Sequence, residues 1–541
     1  MAKLFLNGKF YLGNNIFAEA VAVRDGRFVS IGTNRDVATL PSTHGWEQID
    51  LGGRTVLPGF NDSHLHLYNL GVMRSSLRLG ECRSVADCIT AGVNYIKNNN
   101  IPAEQVIIGY SWNQNSFTDG PRYLDRHDLD KISTSHPIVA YRACIHVVSC
   151  NSLALKMAGI TKDTPTPQGG EIYRDERGVP NGVLAENAFD LLRPILPVPN
   201  SSQMAAIVKS AMEYCANLGI TSVQTNDIRD GNFTDMLTAY NHLYDSNSAT
   251  LRTYHQCFFS GPQEFNEFVA AGYKTGKILQ SDMHKIGPLK MFVDGSLGGR
   301  TAALHTPYYD APDTKGILTM TTTAFEEMVK IAHNSGMSCV VHAIGDAAMD
   351  MVLDGYEKVL RGGKNALRHG IIHCQITDKQ ILERMAHMGI LALVQPIFLQ
   401  ADMKILDSRV GTQLAKTSYA WATMDKLGIH ASYGTDAPVE DACPIANLHC
   451  AVNRQDLDKM PSAGYNPAEC VSLECAIHNY TAESAFASFD ESTKGRIATG
   501  FLADMCVLDR DVFTSDRNAI LDTKVVATIM NGEIVSRQAG F

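Results

Sequence analysis

The sequence predicts an α/β fold: a (β/α)8 barrel of the TIM type, with a small β-sandwich built from both chain ends and a subdomain inserted after the first barrel strand. Three observations carry this. Eight apolar runs of strand length recur between helix-length segments, the sign of a parallel sheet made of βα units. Both ends read instead as short alternating strands broken at Asn-Gly, Asp-Gly and Gly-Gly, with too few strands at either end for a stable sheet alone. About 150 residues separate the first apolar run from the second, and a connection that long must carry its own structure.

In chain order, residues 1–56 supply "KLFLNGKFYL", "AEAVAVRDGRFVSIG" and "WEQIDLGGRTVL", and residues 497–541 supply "ADMCVLD" and "KVVATIMNGEIVS". Pairing them into one composite β-domain brings the termini together and leaves 57–496 as the barrel. Its strands are "TVLPGFNDSHLH", "ITSVQTND", "LRTYHQCFF", "IGPLKMFVDG", "SCVVHAIGD", "HGIIHCQ", "ILALVQPIF" and "HASYGTDAP". Residues 68–215 form the insertion, expected to cover the barrel mouth.

Composition narrows the function classes. Of 541 residues, 45% are hydrophobic and 19% charged, an ordinary globular balance, and the net charge of −10 argues against nucleic-acid or anionic-membrane partners. The start has no sustained apolar run with a small-residue cleavage site, and no apolar stretch approaches the ~20 residues that span a bilayer. Thirteen scattered cysteines without a CxxC pair suit reduced thiols, so a cytoplasmic protein is expected. A homodimer is left open.

The chemistry starts at "LPGFNDSHLHL" (57–67). His64 and His66 stand two apart on a strand, so both imidazoles project to one side, and a shared metal ion explains such crowding. Other strands carry polar groups at corresponding C-terminal ends: Lys290 on the fourth, His342 on the fifth, His373 on the sixth and Asp436 on the eighth. A barrel of this type aims those ends at one central point. Any one histidine alone more often has a structural role; six such groups at matching places are hard to explain by structure.

With these residues in view, the chain resembles the amidohydrolase superfamily, and its longer motifs resemble the YtcJ-like branch, which includes N-substituted formamide deformylase. The motifs are "PGFNDSHLHL", "NGVLAENA" (181–188), "KMFVDGSLGGRTAAL" (290–304), "VVHAIGDAAMD" (340–350), "YGTDAPVEDACP" (433–444), "NYTAESA" (479–485) and "KGRIATGFLADMCVLD" (494–509). The resemblance implies one or two divalent ions, zinc above all, with His64 and His66 on one metal, His342 and His373 on a second, and Asp436 touching the first. It also implies that Lys290 reacts with CO₂ to give N6-carboxylysine bridging both ions, since an ammonium has no acceptor with which to ligate. The alternative is a plain Lys290 paired to Asp294 beside one metal. Relatives often read Arg-Ile-Glu-His where this chain has "RHGIIHC", so Ile372 precedes His373 and another group must orient that imidazole.

The expected reaction is hydrolysis of a non-peptide C–N bond, in an amide or N-substituted formamide, by a metal-activated hydroxide. Asp436 would accept the water proton and return it to the leaving nitrogen. A mononuclear deaminase, a cyclic-amide hydrolase or isomerase, and a non-catalytic relative are the alternatives. For the small-molecule substrate, Tyr110 and Trp112 would form an apolar wall, His146 would donate to a carbonyl, and Arg300 would bind an anionic group or clamp its loop. The aromatic pair has a plainer reading as subdomain core, and Glu186 one as a structural acceptor.

Overall fold

The computed structural model describes residues 2–40, 43–143, 147–514 and 516–541. The chain divides into two compact units, Met1–Leu67 with Ala211–Phe541, and Tyr68–Ser210.

The larger unit holds the barrel. Its strands are β1 (Phe60–Leu65), β2 (Ile220–Thr225), β3 (Arg252–Phe258), β4 (His284–Phe292), β5 (Cys339–Ala343), β6 (Gly370–His373), β7 (Leu391–Val394) and β8 (Ala431–Tyr433). They pair in parallel and in chain order. Strands covered on both faces need no polar alternation, and "LALV" of β7 is accordingly buried throughout. Helices connect them by ordinary means. In Lys379–Met388, Asp378 caps the Ile381 N–H, Ile381, Leu382 and Met385 face inward, and Gly389 ends the helix at φ 66°.

β8 and β1 meet at and just beyond their C-terminal ends. The Asp436 N–H donates to the His64 carbonyl at 2.7 Å and the His66 N–H to the Ala437 carbonyl at 2.8 Å, which nearly closes the barrel. Close approach at this seam requires glycine at 434, because a Cβ there would lie 2.6 Å from the His64 nitrogen. Asp62 pins the same seam: it accepts from the Thr435 hydroxyl at 2.7 Å and the Tyr480 hydroxyl at 3.0 Å.

The sequence places "TVLPGFNDSHLH" in a single barrel strand, and the structure divides it. Thr55–Pro58 pairs with Lys9–Gly13 and with Met505–Leu508 in the terminal sheet, and β1 begins only at Phe60. Gly59 marks the break, because a Cβ there would meet Thr221 Oγ1 at 2.3 Å.

Strands from both ends therefore share one six-stranded sheet, with Met505–Leu508 beside Thr55–Pro58. A four-stranded sheet faces it across a core of Phe5, Val21 and Phe28 on one side and Phe10, Val56, Val507 and Ile529 on the other. Asp25-Gly26 and Asn531-Gly532 form the expected tight hairpins, with φ of 52° and 75°, and 52° and 74°. Asn7-Gly8 does not make a hairpin: Ala2–Leu6 and Lys9–Gly13 lie in different sheets. The buried pair of Arg252 and Asp504, at 2.7 Å, ties the base of β3 to this domain.

The smaller unit has its own six-stranded mixed sheet and its own cores, one containing Leu77, Trp112, Leu124 and Ile138. Among the described residues, no helix is long and apolar enough to cross a membrane.

Candidate metal centre

Six side chains expected at the strand ends are gathered at one end of the barrel. Asp436 Oδ1 lies 3.3 Å from His64 Nε2 and 3.1 Å from His66 Nε2, and Asp436 Oδ2 lies 4.0 Å from His373 Nε2. His373 and His342 stand edge to face with ring centroids 4.4 Å apart, and Lys290 Nζ is 3.5 Å from His64 Nε2. Ligand atoms of His64, His373 and Asp436 all fall within 4.8 Å of one another. His373 and Asp436 both hold left-handed backbone, with φ of 76° and 56°. Non-glycine residues at such angles are strained by about 1–3 kcal/mol and persist where the surroundings over-determine them.

Partners on the far side of each ring decide which nitrogen faces the cluster. Gln256 donates its amide to the Ser63 carbonyl at 3.0 Å, so its Oε1 points to His64 Nδ1 at 2.6 Å. Gln395 repeats the device, donating to the Leu393 carbonyl at 3.0 Å and receiving His373 Nδ1 at 2.7 Å. An amide oxygen can only accept, so each ring carries its proton on Nδ1 and offers an Nε2 lone pair. His342 is turned the other way: its Nε2 donates to the Gly295 carbonyl at 3.0 Å, which leaves Nδ1 to ligate.

Electrostatics agree. Burial drives the His64 imidazole down to about 3, with Lys290 adding to the drop, so it is neutral and able to ligate. Burial likewise pushes the Lys290 amine down to about 7, against the pull of Asp436. Burial alone would raise the Asp436 carboxyl, but positive charge at the facing His64 and His66 positions lowers it well below the usual carboxylate range, as a cation held there would.

The donor set fits a divalent ion. Asp436 Oδ1 is buried with no hydrogen-bond donor of its own, although two imidazole nitrogens face it. Neutral imidazoles and a carboxylate are the ligands such ions take. An orphaned buried carboxylate oxygen costs stability unless a cation meets it.

Other expected residues lie elsewhere. Trp112 is fully buried in the core of the smaller unit, its indole N–H bonded to the Ala140 carbonyl at 2.9 Å, which is a structural setting rather than a binding wall. Tyr110 stacks on Tyr141 in that unit, with centroids 5.3 Å apart. His146 lies outside the described residues. Arg300 donates to Asp310 at 3.1 and 2.9 Å, and Arg409 bonds the same carboxylate, so Arg300 clamps the loop after β4. Asp294 is committed to the Ala303, Ile344 and Gly345 N–H groups and stands 3.4 Å from His342, not paired to Lys290.

The sequence reading did not single out Gln256, Gln395 or Arg229. The two glutamines could have been found by asking what lies at or just beyond the C-terminal ends of β3 and β7. Arg229 sits in an irregular loop after β2, and no local pattern marks it.

Comparison with known proteins gives a consistent result. A sequence model of an amidohydrolase family matches residues 47–536. A Bacillus subtilis (strain 168) protein named as an amidohydrolase, YtcJ, is 33% identical over 524 residues, covering 96% of both chains. N-substituted formamide deformylase of Arthrobacter pascens is 26% identical, over 97% of this chain and 96% of its own. The solved structure of an uncharacterized metal-dependent hydrolase from Pyrococcus horikoshii OT3 superposes with a TM-score of 0.79 at 26% identity, covering 96% of this chain and 99% of that one.

Proposed function

The chain belongs to the amidohydrolase family, and from that premise we propose that it hydrolyses a non-peptide carbon–nitrogen bond, in an amide or an N-substituted formamide. The carrying observation is the Asp436 carboxylate, whose donor-free Oδ1 faces the Nε2 atoms of both His64 and His66. The name of the Arthrobacter relative supports the substrate class.

A divalent ion, zinc in the first instance, would supply Lewis acidity here when bound, lowering the pKa of water toward ~7 and polarising the scissile carbonyl. His64, His66 and Asp436 would hold one ion, and His342 and His373 a second. Gln256 and Gln395 keep His64 and His373 in the ligating tautomer. Asp436, held ionised, takes a proton from the attacking water and returns it to the leaving nitrogen, whose expulsion as an anion would otherwise be prohibitive.

Lys290 would join the two ligand sets as its carbamate. Its buried amine is displaced toward the neutral form; that form adds CO₂ and releases one proton, leaving two acceptor oxygens that share one negative charge where an ammonium has no acceptor. A one-ion reading keeps His64, His373 and Asp436, the tightest triple, with Lys290 unmodified.

The test is a substrate panel on zinc-loaded protein: N-substituted formamides, simple amides, lactams and aminopurines, followed by amine or ammonia release. Release of free amine from the open-chain amides supports the reading. Turnover confined to lactams or aminopurines moves the chain to ring opening or deamination.

A further inference from the structure

We propose that Arg229 is the recognition residue for an anionic group on the substrate, a carboxylate carried close to the scissile nitrogen, as in an N-acylated amino acid with an apolar side chain. This deepens the hydrolytic reading above and rests on it.

The backbone around Arg229 is fixed. Its N–H donates to Asn232 Oδ1 at 2.9 Å, it bridges to Phe258 at the end of β3, and the Phe258 N–H donates to the Ile228 carbonyl at 2.9 Å. A half-buried guanidinium is thereby held beside the metal centre, with Nη2 3.3 Å from His66 Nδ1 and 3.4 Å from the Asn226 carbonyl. Among the described residues no carboxylate pairs with it, whereas Arg252, Arg300 and Arg368 each have one, at 2.7, 2.9 and 2.6 Å.

The His66 contact cannot serve a metal-loaded site well. A neutral His66 that offers Nε2 to an ion carries its proton on Nδ1, which then faces the guanidinium donor to donor. Arg229 is left with the Asn226 carbonyl for five N–H groups. A guanidinium so placed is matched by a planar carboxylate, which it can grip through two parallel bonds.

The surroundings define the rest of the ligand. Phe258 and Phe292 stand edge to face at 5.4 Å, Phe292 lies 5.4 Å from the His342 ring, and Phe398 stacks on His373 at 5.8 Å. All three rings are only half-buried. They present an apolar surface next to the imidazoles, while Arg229 supplies a fixed positive charge beside them. An apolar body bearing one carboxylate satisfies both.

Two measurements on metal-loaded protein test this, with Arg229→Gln and Arg229→Lys as variants. Calorimetry compares binding of 3-phenylpropanoate with that of neutral 3-phenylpropanol. Wild-type protein should prefer the carboxylate by about tenfold or more, Arg229→Gln should lose most of that preference, and Arg229→Lys should keep part of it. Kinetics compare N-formylphenylalanine with N-formylphenethylamine, which lacks only the carboxylate. The ratio of their kcat/KM values should fall about tenfold or more in Arg229→Gln, chiefly through KM. An undiminished carboxylate preference in both folded, metal-bearing variants overturns the proposal, as does the absence of any preference in the wild type. If the wild type cleaves neither compound yet binds the carboxylate through Arg229, the anion site stands and the hydrolytic reading falls.

Discussion

His373 Nδ1 meets Gln395 Oε1 at 2.7 Å, and the glutamine's own amide is tied to the Leu393 carbonyl at 3.0 Å. The acid that the family resemblance leads one to expect before this histidine is Ile372 here, and an amide beyond the next strand takes the orienting role. Losing that partner frees the ring to change tautomer.

Gln395→Ala should therefore weaken metal binding roughly 10- to 100-fold, the usual cost of removing a group that orients a ligand. Gln395→Glu, which preserves an acceptor, should restore most of it. A competition titration against a chromogenic chelator reads this directly. Equal affinity in Gln395→Ala would show that the ring is held by packing alone.

Much of this was legible in the chain. All eight barrel strands follow from apolar runs between helical segments, and the six expected groups stand together because strand ends share one face. What failed was local. "TVLPGFNDSHLH" reads as one strand because nothing in its pattern shows that Gly59 has no room for a side chain beside Thr221. Trp112 and Arg300 each kept two readings by type, because a buried indole and a paired guanidinium are equally what a core and a loop require. Tertiary neighbours, which spacing cannot reveal, separate the two cases.

Trp112→Ala should remove about 3–5 kcal/mol from the smaller unit, since a fully buried indole leaves a cavity when truncated. Limited proteolysis should cut preferentially within 68–210, the span of that unit. Unchanged protease resistance with an altered substrate preference would instead make Trp112 a binding residue.

Glu440 gives a pH signature. Burial raises its carboxyl from the ordinary 4.5 to about 7, although Gln400 donates to both oxygens at 3.1 Å. A raised acid binds more protons folded than unfolded between those values, so its contribution to stability falls as pH rises from 4.5 to 7. Glu440→Gln should melt close to wild type at pH 4 and gain on it progressively toward pH 8. A melting-temperature difference independent of pH would contradict this.

Lys290→Ala should lose bound metal together with nearly all turnover. Short carboxylates such as formate or propionate should restore part of both by filling the vacated anionic position. Electron density at Nζ of the intact protein decides the rest: additional density is expected. A bare amine beside a singly occupied, active centre would select the one-ion reading.

The central claim is that His64, His66, His342, His373 and Asp436 hold a metal on which C–N hydrolysis depends. It is tested most directly by stripping the protein with a chelator, returning zinc in measured steps, and following bound metal and amine release from an N-substituted formamide in the same samples. Amine release should rise in proportion to bound zinc and level off at one or two ions per chain, with Asp436→Asn retaining most of the metal but losing roughly 10²-fold in rate. Full turnover in metal-free protein, or a metal-loaded Asp436→Asn variant that works at the wild-type rate, would contradict the account.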